Sequence, residues 1–121
     1  MFLELAHTKL DVFKVSKEFV LYCYRETKPF PNDEKFALTQ QIRRAAISVH
    51  LNLAEGSSRK SLTERKRYYE ISRGSVIEID TAFDIAVGLE YSTKDKLEHT
   101  GSLLIRTFQM LSKMIGQTHV E

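Results

Sequence analysis

Apolar residues recur at helical spacing in four stretches of this chain, separated by short polar breaks. In the first stretch Ala6, Leu10, Phe13, Val20 and Cys23 fall on one side of a helix. Leu5, Val12, Val15, Phe19 and Tyr22 fall on the neighbouring side. The polar wedge opposite, centred on His7, Asp11, Lys14, Glu18 and Arg25, is narrow. A helix in a monomeric bundle needs an apolar stripe only somewhat wider than ~100°. The excess implies a further covering surface, and the economical one is a second copy of the chain. In the second stretch Leu38, Ile42, Ala45, Val49 and Leu53 form one apolar stripe, and Phe36, Ile47, Leu51 and Ala54 form another. In the fourth, Leu97, Gly101, Leu104, Phe108, Leu111 and Ile115 make a bundle seam, widened by Leu103, Met110 and Met114.

The breaks have a mechanism. Pro29-Phe30-Pro31-Asn32 ends the first helix, and Asn32 suits the cap of the second, with Asp33 and Glu34 at its positive end. Gly56 suits a left-handed residue closing that helix. Ser61-Leu62-Thr63-Glu64 is a capping box for the third. Ser92 or Thr93 caps the fourth, and Gly116 ends it. The expected helices are residues 4–27, 33–55, 62–90 and 94–116, arranged as a single antiparallel up-down four-helix bundle. Composition agrees. With 5 Gly and 2 Pro in 121 residues, the chain lacks the turn residues of a many-stranded β domain. Its 42% hydrophobic content is that of a folded protein rather than a disordered one.

Cys23 is the single cysteine, which excludes an intramolecular disulfide and a multi-cysteine zinc site, and it reads as a small buried hydrophobe. There is no apolar run of membrane-spanning length, and the first residues lack the pattern of a secretory signal, so cytoplasm is the expectation. His7, His50, His99 and His119 lie on separate segments, and each reads as a surface or boundary residue. Zincin, di-iron, phosphate-loop and nucleophile-elbow patterns are absent. The expectation is a non-enzyme with no catalytic residue, metal or cofactor.

A polar strip, Gln41, Arg44, Ser48, Asn52 and Glu55, runs between the two apolar stripes of the second helix. On the third helix Glu78 shares a sector with Ile71, Ala82 and Ile85, behind the small residues Gly74 and Ser75. An acid on an apolar face calls for a partner, since an isolated buried charge costs several kcal/mol. Arg44 is the expected one, with Gln41, Ser48 and Asn52 completing a network that sets helix register.

The net charge of +2 conceals a split. Residues 57–75 hold six basic residues against two acids, whereas residues 76–92 hold Glu78, Asp80, Asp84 and Glu90 and no base. This opposes the helix dipole, which favours acids at the N-terminus, and so hints at a partner. The expected site is the turn at 57–67, where Arg59, Lys60, Arg65, Lys66 and Arg67 would meet RNA, DNA or an acidic protein, with Arg43 and Arg44 adding to the cationic count on the second helix. Tyr68 and Tyr69 follow and could stack on bases.

The run Gln41-Ile-Arg-Arg-Ala-Ala-Ile-Ser-Val-His-Leu-Asn-Leu-Ala-Glu-Gly56 resembles the bacterial four-helix-bundle proteins encoded in 23S rRNA intervening sequences. Pro29-Phe30-Pro31 with Glu34, Gly74-Ser75 with Glu78, and Leu89-Glu90-Tyr91 extend the resemblance over residues 3–115. Val49-His50 departs from it, since family members carry an apolar residue or Pro there. The resemblance implies a homopentameric ring. It also implies kinship with the accessory variability determinant of diversity-generating retroelements, a basic pentameric barrel that binds a reverse transcriptase and nucleic acid. The expected function is a nucleic-acid or ribonucleoprotein accessory module. The alternative is a scaffold that docks a protein such as a reverse transcriptase and makes no contact with nucleic acid.

Overall fold

The structure, a computed structural model, describes residues 1–118. It contains four helices, α1 (Asp11–Thr27), α2 (Leu38–Ser58), α3 (Leu62–Gly88) and α4 (Glu98–Gln117), and among the described residues no strand. Each helix packs on its two neighbours in chain order, and α4 closes back onto α1. Contacts between residues 41 and 78, 48 and 75, and 57 and 69 run α2 and α3 antiparallel. The expected up-down four-helix bundle is therefore the observed architecture.

The helix ends depart from the expectation, for local reasons. Leu10 is extended, so α1 starts at Asp11, and Ala6–Lys9 form a separate 3-10 turn. Asn32 does not cap α2. It opens a second 3-10 turn, Asn32–Glu34, and α2 begins after the distorted Ala37. Gly56 does not close α2, which runs on to Ser58, and no glycine takes a positive φ. Among the described residues the left-handed one is Glu90, at φ 64°. Its N–H donates to the Val87 carbonyl and that of Tyr91 to the Ala86 carbonyl, which is the Schellman closure of α3 built without glycine. Ser61 does cap α3, accepting the Glu64 N–H at 3.3 Å. Thr93 caps a turn that precedes α4, and α4 passes Gly116 to end where the Thr118 hydroxyl donates to the Ile115 carbonyl.

The core is continuous through all four helices. Phe19, Ile42, Val49, Leu53, Ile79 and Leu103 are essentially inaccessible. Each such side chain contributes roughly 1.5–3 kcal/mol by leaving water. Cys23 lies among them, and burial, then the Glu26 charge, push its thiol far up, consistent with an inert apolar role. The buried line of α4 is Thr100, Leu103, Thr107, Leu111 and Ile115, which keeps Leu111 and Ile115 of the expected seam and lies one position round from Gly101, Leu104 and Phe108. Thr107 can enter because its hydroxyl donates to the Leu103 carbonyl at 2.8 Å, so it carries no unsatisfied donor inward. Of the second apolar stripe, Ala54 packs against the core and the rest stays outside. Phe36, Ile47 and Leu51 are exposed, as are Ile71, Ile77 and Ile85 of α3.

Candidate nucleic-acid interface

Where α2 gives way to α3, the chain crosses in three residues. Arg59 is extended, Lys60 follows, and Ser61 caps the next helix. So short a crossing requires the two helices to touch at their ends, and Gly56 permits it. A Cβ there would stand 2.8 Å from Cε1 of Tyr69 and 2.9 Å from Cβ of Tyr68. Tyr69 is buried against Gly56, with its hydroxyl 3.2 Å from Ser57 Oγ.

Arg59 is fastened at several points. Its Nη2 donates to Glu55 Oε2 at 3.2 Å and to the Tyr68 hydroxyl at 3.1 Å, and its guanidinium lies 5.0 Å from the Tyr68 ring centroid. Its carbonyl accepts from Arg65 Nε. Its own Nε is enclosed without a partner. Arg67 approaches the same Tyr68 ring at 5.6 Å. Lys60 and Arg67 are exposed, and Arg65 and Lys66 are half-buried. The turn thus gathers Arg59, Lys60, Arg65, Lys66 and Arg67, while Glu55 neutralises part of the Arg59 charge. This arrangement can hold phosphate or carboxylate groups. Tyr69 is buried and so does not offer a ring to a base, while the half-buried Tyr68 ring has the guanidinium groups of Arg59 and Arg67 beside it.

Arg43 belongs elsewhere. Its Nε donates to Thr27 Oγ1 at 2.9 Å, its Nη2 to the Tyr24 carbonyl at 3.3 Å, and its guanidinium lies over the Tyr24 ring. Arg43 closes the C-terminus of α1, about 24 Å along α2 from the basic turn. Arg73 likewise turns to α4, donating to Ser112 Oγ.

Of the polar strip, Gln41 and Ser48 bond to α3, Asn52 bonds back to Ser48 within α2, and Glu55 turns to Arg59. Ser75 donates to Ser48 Oγ at 2.9 Å, Asn52 Nδ2 donates to the Ser48 carbonyl and hydroxyl, and Ser72 donates to the Val49 carbonyl at 2.6 Å. The expected Arg44–Glu78 ion pair is not formed. Gln41 Nε2 donates to Glu78 instead, and both groups are exposed. Helix geometry explains the exchange. Ser48 lies seven residues, nearly two full turns, beyond Gln41 and faces the same way, whereas Arg44 is rotated about 60° toward solvent.

The sequence reading missed His50. Its Nδ1 lies 2.7 Å from the buried Ser16 hydroxyl, and its ring packs 4.3 Å from Phe13. Burial, then the charges of Lys17 and His7, hold its pKa below the ordinary imidazole value. The available signal was the polar Ser16 on the otherwise apolar face of α1. His119 lies outside the described residues. Among the described residues no helix is long and apolar enough to cross a membrane, and no three His, Cys, Asp or Glu side chains gather as a metal ion would require.

The model of the 23S rRNA-intervening sequence protein family matches residues 8–113, which includes the polar seam and the basic turn. The chain belongs to that family. A crystal structure of a protein with unknown function from the S23 ribosomal protein family of Bacteroides thetaiotaomicron has the same fold. It is 20% identical, with a TM-score of 0.76 over 86% of this chain and 97% of that one. None of the curated proteins compared with the chain matches it. For this member of the 23S rRNA-intervening sequence family, the motif ending in Gly56 now has a structural meaning: it is the stretch of α2 that α3 packs against on its way out of the basic turn.

Proposed function

We propose that this protein is a non-enzymatic, self-assembling module that binds the phosphate backbone of RNA or DNA through its α2–α3 turn. The observation that carries the reading is the convergence of Arg59, Lys60, Arg65, Lys66 and Arg67 on one tightly tied turn. With Tyr69 buried and Arg59 and Arg67 beside the Tyr68 ring, recognition is electrostatic and indifferent to sequence. Assembly is supported by exposed Ile47 and Leu51 of α2 and Ile71 and Ile85 of α3, apolar side chains that a second copy would cover. A homopentameric ring, the arrangement implied by the family resemblance, would repeat the basic turn five times. The same reading takes the protein to act in the cytoplasm.

Fluorescence anisotropy with labelled 20-nucleotide RNA and DNA tests the proposal. Binding at low salt that is lost in Lys60→Glu/Lys66→Glu/Arg67→Glu supports it. Absence of binding, or binding unchanged in that variant, refutes it. The second reading, a scaffold that docks a protein such as a reverse transcriptase, rests on the same exposed apolar residues. It gains if light scattering finds a monomer, leaving that face free.

A further inference from the structure

The half of the bundle away from the basic turn carries a second surface, of opposite charge. The C-terminal half of α3, the turn at 94–97 and the first turns of α4 enclose a groove of about 750 Å³. Its floor is apolar, made by Phe83, Val87, Leu97 and Leu104. Gly101 lies on that floor, and a Cβ built on it would meet nothing within 4 Å. The rim is acidic, with Asp80 and Asp84 from α3 and Asp95 and Glu98 from the α4 side. Lys94 and Arg106 also line it. Among the described residues the ion pairs are Arg59–Glu55 and His99–Glu18, so none of the four rim carboxylates is paired. Thr100, buried behind the floor, has a hydroxyl without a hydrogen-bond partner.

This combination selects its occupant. A wholly apolar ligand would cover the floor but strip water from unpaired carboxylates, at a cost of several kcal/mol. An anion would face four carboxylates against two cations, Lys94 and Arg106. A basic group on an apolar body satisfies both parts. The shape adds a further constraint, since a trough between two helices takes a third helix laid along it. From Asp80 to Val87 the groove runs about 10 Å, or two helical turns, which accommodates apolar anchors one turn apart.

We propose that this groove docks a basic amphipathic helical segment of a partner protein, its apolar side chains on the Phe83–Leu104 floor and its Lys or Arg side chains on the acidic rim. The proposal is independent of the basic turn, which lies at the other end of α3. It gives the protein two faces of opposite charge preference, one for phosphate and one for a basic polypeptide.

The experiment is anisotropy of a labelled 15-residue peptide with Leu at helical i, i+3 and i+7 positions and Lys elsewhere, titrated with the full chain. Gly101→Leu fills the floor without changing charge. Asp80→Lys/Asp84→Lys reverses the rim. Glu64→Lys/Glu70→Lys makes the same charge change at a distance. The wild type binds, the first two variants lose about tenfold or more in affinity, and the third stays within about twofold. A peptide with Ala in place of Leu binds no variant above background. Should Gly101→Leu melt early, Ser102→Trp on the exposed lip of the groove replaces it. The proposal is overturned if the wild type fails to bind, if filling the floor leaves affinity unchanged, or if the distant reversal weakens binding equally. It is also overturned if Asp80→Lys/Asp84→Lys breaks the protein into monomers by light scattering, for the groove is then a contact between copies.

Discussion

Replacing Gly56 by Ala separates two opposing effects of one methyl group. In an ordinary helix interior the change stabilises by up to about 1 kcal/mol, because Gly has the larger conformational entropy to lose. At Gly101, where the added Cβ meets nothing within 4 Å, that gain is expected in full. At Gly56 the Cβ would stand 2.8 Å from the Tyr69 ring and 2.9 Å from Cβ of Tyr68, against about 3.4 Å for ordinary contact. The Tyr68 atom is attached directly to the α3 backbone, so no rotamer change removes the clash. The helices must part by about half an ångström where the Ser57–Tyr69 and Ser72–Val49 hydrogen bonds join them. Overpacking of this kind costs roughly 1–3 kcal/mol, which offsets the helix gain and leaves a net loss of up to about 2 kcal/mol. For a chain of this size that lowers Tm by about 3–5 °C per kcal/mol. Urea unfolding of the wild type, Gly56→Ala and Gly101→Ala at one protein concentration gives the answer in the midpoints, with slopes unchanged. The reasoning fails if Gly56→Ala raises the midpoint as Gly101→Ala does.

Other outcomes follow from single contacts. Glu90→Gly removes the strain of a left-handed residue, about 1–2 kcal/mol, against an entropy cost of about 0.5–1 kcal/mol, so thermal unfolding shifts upward by a small margin. Because the folded state holds the His50 pKa below its unfolded value, the unfolded chain binds more protons as pH falls below about 6.5, and stability drops there. His50→Gln flattens that part of the pH dependence relative to the wild type in urea titrations at pH 7.5 and pH 5. Arg43→Met loses two charge-assisted hydrogen bonds at the end of α1 and costs about 1–2 kcal/mol, while RNA affinity by anisotropy stays within about twofold. Glu78→Gln, at an exposed site joined only to Gln41, changes the denaturation midpoint by less than about 0.5 kcal/mol, whereas a buried ion pair would have cost several.

The legible parts of this fold were those in which one local rule acted alone. Period-3.6 stripes located all four helices, and the Ser61 box located the start of α3, because a cap depends on residues three apart in sequence. Gly56 was misread for the opposite reason. Glycine serves both left-handed closure and close approach, and only the position of Tyr68 and Tyr69 on another helix decides between them. The left-handed closure that does form, at the end of α3 rather than α2, falls to Glu90, which no residue preference marks. The Arg44–Glu78 pairing failed because a strip spaced 3, 4, 4 and 3 looks straight on a wheel while its members point up to about 80° apart. The cations of the basic turn were legible as adjacent residues. That Arg43 would leave them to close α1, and that Arg59 would cover the Tyr68 ring, depended on neighbours distant in sequence or across the turn.

The most direct test of the account is the salt dependence of nucleic-acid binding by the wild-type protein. If Lys60, Arg65, Lys66 and Arg67 each neutralise a phosphate, log K against log salt falls with a slope of about −3 to −4 per bound chain on duplex DNA, with no preference among sequences. A slope near zero, or one that Lys60→Glu/Lys66→Glu/Arg67→Glu leaves unchanged, contradicts the assignment of the α2–α3 turn as a phosphate-binding surface.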